Sequence, residues 1–279
     1  MMRHILNLLF FLFLQFAIAQ NIVCSEQDRL AFKEKALEIK ELSDKDFGRT
    51  IVAVGKTFLG TPYVAKTLEI GDRESLVINL QGLDCTTYVE NVLAFSRLAR
   101  TENFDFETFT KTLEGIRYKD GKLNGYASRL HYFSEWIANN EVKGFLKNIT
   151  SDIGGKEISK EINFMSTHRE LYPFLADDEN FEKIKQSENY LNNQAICVLA
   201  QDAITANEEK IHTGDIIALT TTIKGLDITH TGIAILEEDG RIHLLHASSS
   251  GQVEISELPL ADYLKKIKNN SGIMVARPL

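Results

Sequence analysis

Three cysteines in 279 residues are too few for a disulfide-built scaffold, and none stand at zinc-ligand spacing. No cysteine and histidine set closes a ligand shell, so neither a metal nor another cofactor is expected. Positive charge is also scarce: 31 Lys and Arg face 39 Asp and Glu, a net charge of −8. That balance leaves no basic stripe for nucleic acid. Internal repeats and low-complexity tracts are missing as well. What remains, with 44% hydrophobic and 25% charged residues, is an ordinary globular composition, expected as a monomer.

The first residues address the chain. Met1-Met2-Arg3-His4 is a short basic start, and Ile5 to Phe16 is apolar except for Asn7 and Gln15. Ala17-Ile18-Ala19 supplies the small-x-small pattern read by signal peptidases. The run is shorter than the ~20 residues of a membrane helix and ends in a cleavage pattern. Residues 1–19 are therefore expected to be a signal peptide, the mature protein exported and periplasmic, with no stable membrane span. Cys24 as a lipid anchor is the weaker reading, because Asn21-Ile22-Val23 lacks the small residues a lipobox needs. In an oxidising compartment Cys24 and Cys197 could pair, which would leave Cys85 as an odd thiol with a functional question attached.

Periodicity organises the rest as a single domain over residues 20–279. Residues 25–42 read as a charged amphipathic helix and Asp46–Phe58 as a second, ended by Gly60 and Pro62. Asp84 is a good N-cap for a helix bearing Tyr88, Val89, Val92 and Phe95, which puts Cys85 in the first turn. Residues 101–207 read as mixed and mainly helical. The last third changes to short β-branched runs at 215–219, 229–236, 241–247 and 252–255, with a hairpin loop over Glu237–Gly240 and a last strand at 273–276. Helices first and an antiparallel sheet last make an α+β fold.

Cys85 carries the chemistry in this reading. Unsatisfied N–H groups in the first helical turn favour a thiolate and can hold an oxyanion. Most free cysteines in helices are simply buried, so the strands decide. His230 and His246 are equidistant from position 238 in the proposed turn, and residues so placed face each other across a hairpin. His243 has the opposite parity and reads as surface or packing. A helix-start cysteine facing a cross-strand histidine pair supplies nucleophile, base and orienter.

Leu83-Asp84-Cys85-Thr86-Thr87-Tyr88-Val89 resembles the nucleophile motif of the NlpC-type cell-wall hydrolases, which have a papain-like core. Gly60-Thr61-Pro62-Tyr63 resembles their active-site tyrosine segment, and Thr213-Gly214-Asp215-Ile216-Ile217 their strand entry. His230-Thr231-Gly232-Ile233-Ala234 and the strand from His246 to Val253 resemble the segments carrying their base and third catalytic residue. The resemblance implies a papain-like NlpC-type core at 45–100 and 208–279, and catalytic roles for Cys85, His230, His246 and Tyr63. It also implies that Asp84 and Ser248, inside the same motifs, touch substrate.

Roughly 110 residues separate the cysteine helix from Asp215, more than the general family has. Within them, Ser128–Trp136 and Phe164–His168 resemble a branch of N-acetylmuramoyl-L-alanine amidases specific for 1,6-anhydro-muramyl peptides. The resemblance implies peptidoglycan fragments as partners and makes 101–207 a substrate-selecting insertion. Arg129 and His131 are its candidate ligand contacts, Arg129 because a guanidinium clamps a carboxylate well. His168 and His212 carry no separate signal. Two alternatives stand beside this one: a γ-D-glutamyl-diamino acid endopeptidase, and a catalytically silent wall-binding protein.

Overall fold

An antiparallel sheet organises the protein, with apolar cores on both of its faces. The structure, a computed structural model, describes residues 22–279; the expected leader at 1–19 lies outside the described residues. In chain order the elements are β1 (Ile22–Cys24), α1 (Glu26–Ile39), α2 (Phe47–Lys56), β2 (Leu76–Ile78), α3 (Cys85–Leu98), α4 (Phe106–Arg117), α5 (Phe133–Val142), β3 (Leu146–Asn148) and β4 (Lys156–Ile158). Then follow α6 (Phe164–Thr167), α7 (Asp178–Asn192), β5 (Ile196–Ala200), α8 (Ile204–Asn207), β6 (Ile216–Thr221), β7 (Ile228–Leu236), β8 (Ile242–Ala247), β9 (Val253–Ile255), α9 (Leu260–Lys265) and β10 (Asn270–Pro278). Mixed helices with an antiparallel sheet agree with the expected α+β class.

Strand order in the sheet is β4-β5-β10-β6-β7-β8-β9, with β3 also on β10. All six residues of β6 are buried, as a central strand covered on both faces requires. One core holds α1 to α5 against Ile233, Ile235, Leu245 and Ala247. The other packs Leu260 and Leu264 of α9 on Ala234, Leu244 and Ile217. The alternation of these residues along β7 and β8 is the period-2 pattern of a strand with two apolar faces.

The region 101–207 is not a separate lobe. Its β3 and β5 pair with β10, the long closing strand, so the sheet passes through it. Only a satellite cluster around Tyr132, Met165 and Leu175 is its own. Sequence patterning missed β1 to β5 because four of them have three residues and the fifth has five.

The helix that matters most is α3. Asp84 caps it: the carboxylate accepts from the Thr87 N–H and hydroxyl, both at 2.8 Å, and the Asp84 N–H donates to Thr87 Oγ1 at 2.9 Å. Such a reciprocal cap stabilises a helix by about 1 kcal/mol. Behind the first turn nearly every residue is buried, including Tyr88, Val92 and Phe95. Glu90 is buried too, and the Arg117 guanidinium of α4 meets it at 2.7 Å while donating to the Val77 carbonyl. The helix is thereby fixed on all sides with its N-terminus open.

Candidate active site

The open end of α3 meets the sheet near the end of the β7–β8 ladder. That ladder is paired from Leu236–Ile242 to Ile233–Leu245, and the next step brings Gly232 against His246. Cys85 lies close enough to the Thr231 backbone N–H for that group to favour its thiolate. The Thr86 hydroxyl and N–H act in the same sense. At the helix start the Cys85 N–H itself has no intrahelical acceptor, which leaves it available to a developing oxyanion.

His230 Nε2 and His246 Nδ1 lie 2.6 Å apart, with ring centroids at 4.8 Å and planes at 88°. The two imidazoles meet, but the register differs from the sequence expectation. The pairing centres on residue 239, so His246 falls opposite Gly232, and His230 reaches it on the diagonal. The turn is one residue further along than the symmetric reading placed it. Because Nε2 of His230 is taken up by His246, Nδ1 is the ring nitrogen left for any other partner.

Burial governs the charges. It pushes the Cys85 thiol up to about 12, helped by the neighbouring Asp84 carboxylate, and outweighs the Thr231 and Thr86 groups. Burial, and then His246, bring His230 down to about 3; burial brings His246 to about 4, with Glu254 opposing. The Cys85 thiol and the His230 imidazole are therefore both neutral at rest.

Tyr63 is placed by backbone. Its N–H donates to the Gly251 carbonyl at 2.8 Å, and it bridges Leu83, two residues before the thiol. Burial, followed by the negative charge available at Cys85 and Asp84, raises its phenol to about 12, so it stays a donor. Ser248 is buried in the β8–β9 turn with its hydroxyl 2.7 Å from that of Ser250. Asp84 has its Oδ1 engaged by the helix cap. A residue that sequence reasoning missed is Tyr263 of α9, whose ring meets His246 edge-on at 5.5 Å. No motif marks it; only the packing of α9 on the sheet brings it here.

The two ligand contacts expected in the insertion make internal contacts here. Arg129 is buried and ion-paired to both Glu69 and Glu74, the latter at 3.3 Å. Its charge is balanced by these carboxylates. His131 Nε2 lies 2.9 Å from the Tyr126 carbonyl with its ring against that of Tyr126. Burial, then Arg129, keeps it well below the usual histidine range. Cys24, Cys85 and Cys197 are all free thiols, with Cys24 and Cys197 on different sheets. His243 is buried against the Ser256 carbonyl, consistent with packing. Among the described residues no three His, Cys, Asp or Glu side chains converge on one point.

A family described as AmiA-like, N-acetylmuramoyl-L-alanine amidase-like, matches residues 53–273. The chain belongs to that family. The matched span contains Cys85, His230 and His246 together with the whole inserted region. An N-acetylmuramoyl-L-alanine amidase from Bacteroides uniformis superposes on this AmiA-like chain with a TM-score of 0.79 at 39% identity, covering 84% of this chain and 99% of its own. A Bacteroides fragilis structure named provisionally as a xylanase has a TM-score of 0.76 at 41% identity, covering 80% and 98%. A Legionella pneumophila protein at 22% identity, with a TM-score of 0.67 over 90% and 95%, shares the fold. A search of curated proteins found no match.

Proposed function

We propose that the protein is an exported, papain-like cysteine amidase of the NlpC type that cleaves the bond between N-acetylmuramic acid and L-Ala in peptidoglycan fragments. The observation that carries this reading is the meeting of Cys85, at the start of α3, with the start of β7, where His230 is hydrogen-bonded to His246. Similarity to the B. uniformis amidase supports the bond class.

In this mechanism His230 Nδ1 takes the Cys85 proton and Sγ attacks the lactyl amide carbonyl. The Cys85 N–H and the Tyr63 hydroxyl donate to the oxyanion. The C–N bond breaks as His230 returns the proton to the leaving L-Ala amine, leaving a thioester. Water, deprotonated by His230, then attacks the thioester carbonyl, and the thiol leaves with that proton. A glycosidase needs two carboxylates flanking the scissile bond, and at this site the central groups are a thiol and two imidazoles.

The basic, apolar and Ala-x-Ala run over residues 1–19 supports export, and the 1,6-anhydro form is the preferred sugar end in this proposal. Incubation with defined muropeptides followed by mass spectrometry tests the whole reading. An intact stem peptide beginning with L-Ala is the expected product, formed fastest from anhydro-muramyl substrates. Cleavage between D-Glu and the diamino acid would replace it with the endopeptidase reading. Binding of wall fragments without any cleavage would mark a silent scaffold.

A further inference from the structure

His246 carries a buried polar atom with nothing to bond. The residue is 1% exposed, and its Nε2 has no hydrogen-bond partner among the described residues. Leaving such a group unsatisfied forfeits the hydrogen bond it would make to water. Native sites rarely tolerate that without a reason.

Tautomer logic says what kind of partner is missing. This inference rests on the thiol mechanism proposed above. For His230 to accept the Cys85 proton on Nδ1, its own hydrogen must sit on Nε2, which then donates to His246 Nδ1. His246 must in turn carry its hydrogen on Nε2, the unpartnered atom. The gap is for an acceptor.

Strand register offers one. β8 lies between β7 and β9, and His246 stands directly opposite Glu254 of β9. Residues opposed in this way share a face, with Cβ atoms about 5 Å apart. Glu254 is partly exposed and its Oε1 accepts one long hydrogen bond, from Ser250 Oγ at 3.2 Å. Its charge works against the burial that depresses His246. Tyr263 covers the remaining side of the imidazole.

We propose that Glu254 is a positioning residue for the thiol chemistry, its carboxylate accepting the His246 Nε2–H and completing a line from Cys85 through His230 and His246. Only hydrogen bonds are made along the outer part of that line, and the transferred proton remains the one exchanged between Cys85 and His230. The carboxylate fixes the His246 tautomer that can accept from His230. It also offsets part of the positive charge His230 gains in the attack.

Imidazole-15N NMR of the full chain reads this directly. His246 is expected to carry its proton on Nε2, with that signal shifted in Glu254→Ala and shifted less in Glu254→Gln, whose amide oxygen still accepts. On a muramyl peptide, Glu254→Ala should lower kcat about tenfold with little change in KM, and Glu254→Gln should recover most of the loss. His246 protonated on Nδ1 in the wild-type protein overturns the proposal even if the alanine variant fails to fold. So does an unchanged kcat in Glu254→Ala, or a shift of the Nε2 signal that only Tyr263→Phe produces, because the phenol would then be the acceptor. If muramyl peptides prove not to be substrates, the tautomer and the Cys85 alkylation rate still decide the role of Glu254. The two readings therefore fail separately.

Discussion

Gly232 and His246 face each other across the β7–β8 pair, and the contact has room for a hydrogen but not for a methyl. A Cβ built on Gly232 would come within 2.8 Å of the His246 Cβ and 2.8 Å of Leu244 Cδ1. The bare backbone lets the His246 ring lean across the strand and reach His230 on the diagonal. The Gly in the His230-Thr231-Gly232 motif thus has a geometric duty.

Gly232→Ala should therefore separate the two imidazoles. Overpacking of this kind costs about 1–3 kcal/mol in stability, which a folded domain of this size can absorb. Activity should fall by roughly a hundredfold or more, because the base loses its orienter. A purified, folded Gly232→Ala protein with wild-type turnover would show that His246 does not hold His230.

The thiol itself gives the sharpest contrast. Cys85→Ala should abolish turnover while melting close to wild type, since the residue sits at the start of α3 and the cap belongs to Asp84 and Thr87. His230→Ala should lose nearly all activity and His246→Asn less, because an amide can still accept a hydrogen bond. Cys24→Ser should leave the reaction unchanged. Residual activity above a few per cent in Cys85→Ala would remove the nucleophile assignment.

How much of this was legible before the fold was known depends on the range of the interaction. The Asp84 cap, the α3 stripe and the β6 to β9 strands are local patterns, and each was readable. The histidine pair was readable as a pair because both lie on one hairpin, yet its register required the turn, which periodicity cannot place to one residue. Arg129 shows the opposite case. Its residue type suggests a ligand clamp, but its partners Glu69 and Glu74 lie some sixty and fifty-five positions earlier, and no local signal joins them. Glu254 comes opposite His246 by sheet order, and Tyr263 meets that ring through the packing of α9.

The pH dependence follows from burial. His230 must be neutral to take the thiol proton, and desolvation, with His246, holds it down at about 3. An imidazole is neutral above its pKa, so the acid limb of kcat/KM should fall well below the ordinary histidine value near 6.5. The Cys85 thiol, raised by burial and Asp84 to about 12, should give slow alkylation by iodoacetamide at neutral pH that rises only in strong base. A profile of alkylation rate against pH with an inflection below about 6 would mean that the thiolate–imidazolium pair already exists at rest.

Arg129 supplies the last expectation, and it concerns the loop that carries Tyr63. After Tyr63 the chain runs through residues 64–75 before β2, and Glu69 and Glu74 of this loop are both tied to Arg129 of the inserted region. Tyr118 adds a hydrogen bond to Glu74 at 2.8 Å, and Lys66 donates to the Leu171 carbonyl at 3.3 Å. The insertion thus grips the loop at several points. Removing Arg129 would leave the buried Glu74 and the partly buried Glu69 without their cation, at a cost of about 3–5 kcal/mol. Arg129→Ala should lower the melting temperature and slow both turnover and Cys85 alkylation, since the loop bearing Tyr63 borders the thiol. A variant that melts like wild type and shows only a raised KM would instead restore Arg129 as a direct ligand contact. A double-mutant cycle with Glu74→Gln separates the cases further, because an internal pair couples strongly in stability and a ligand clamp does not.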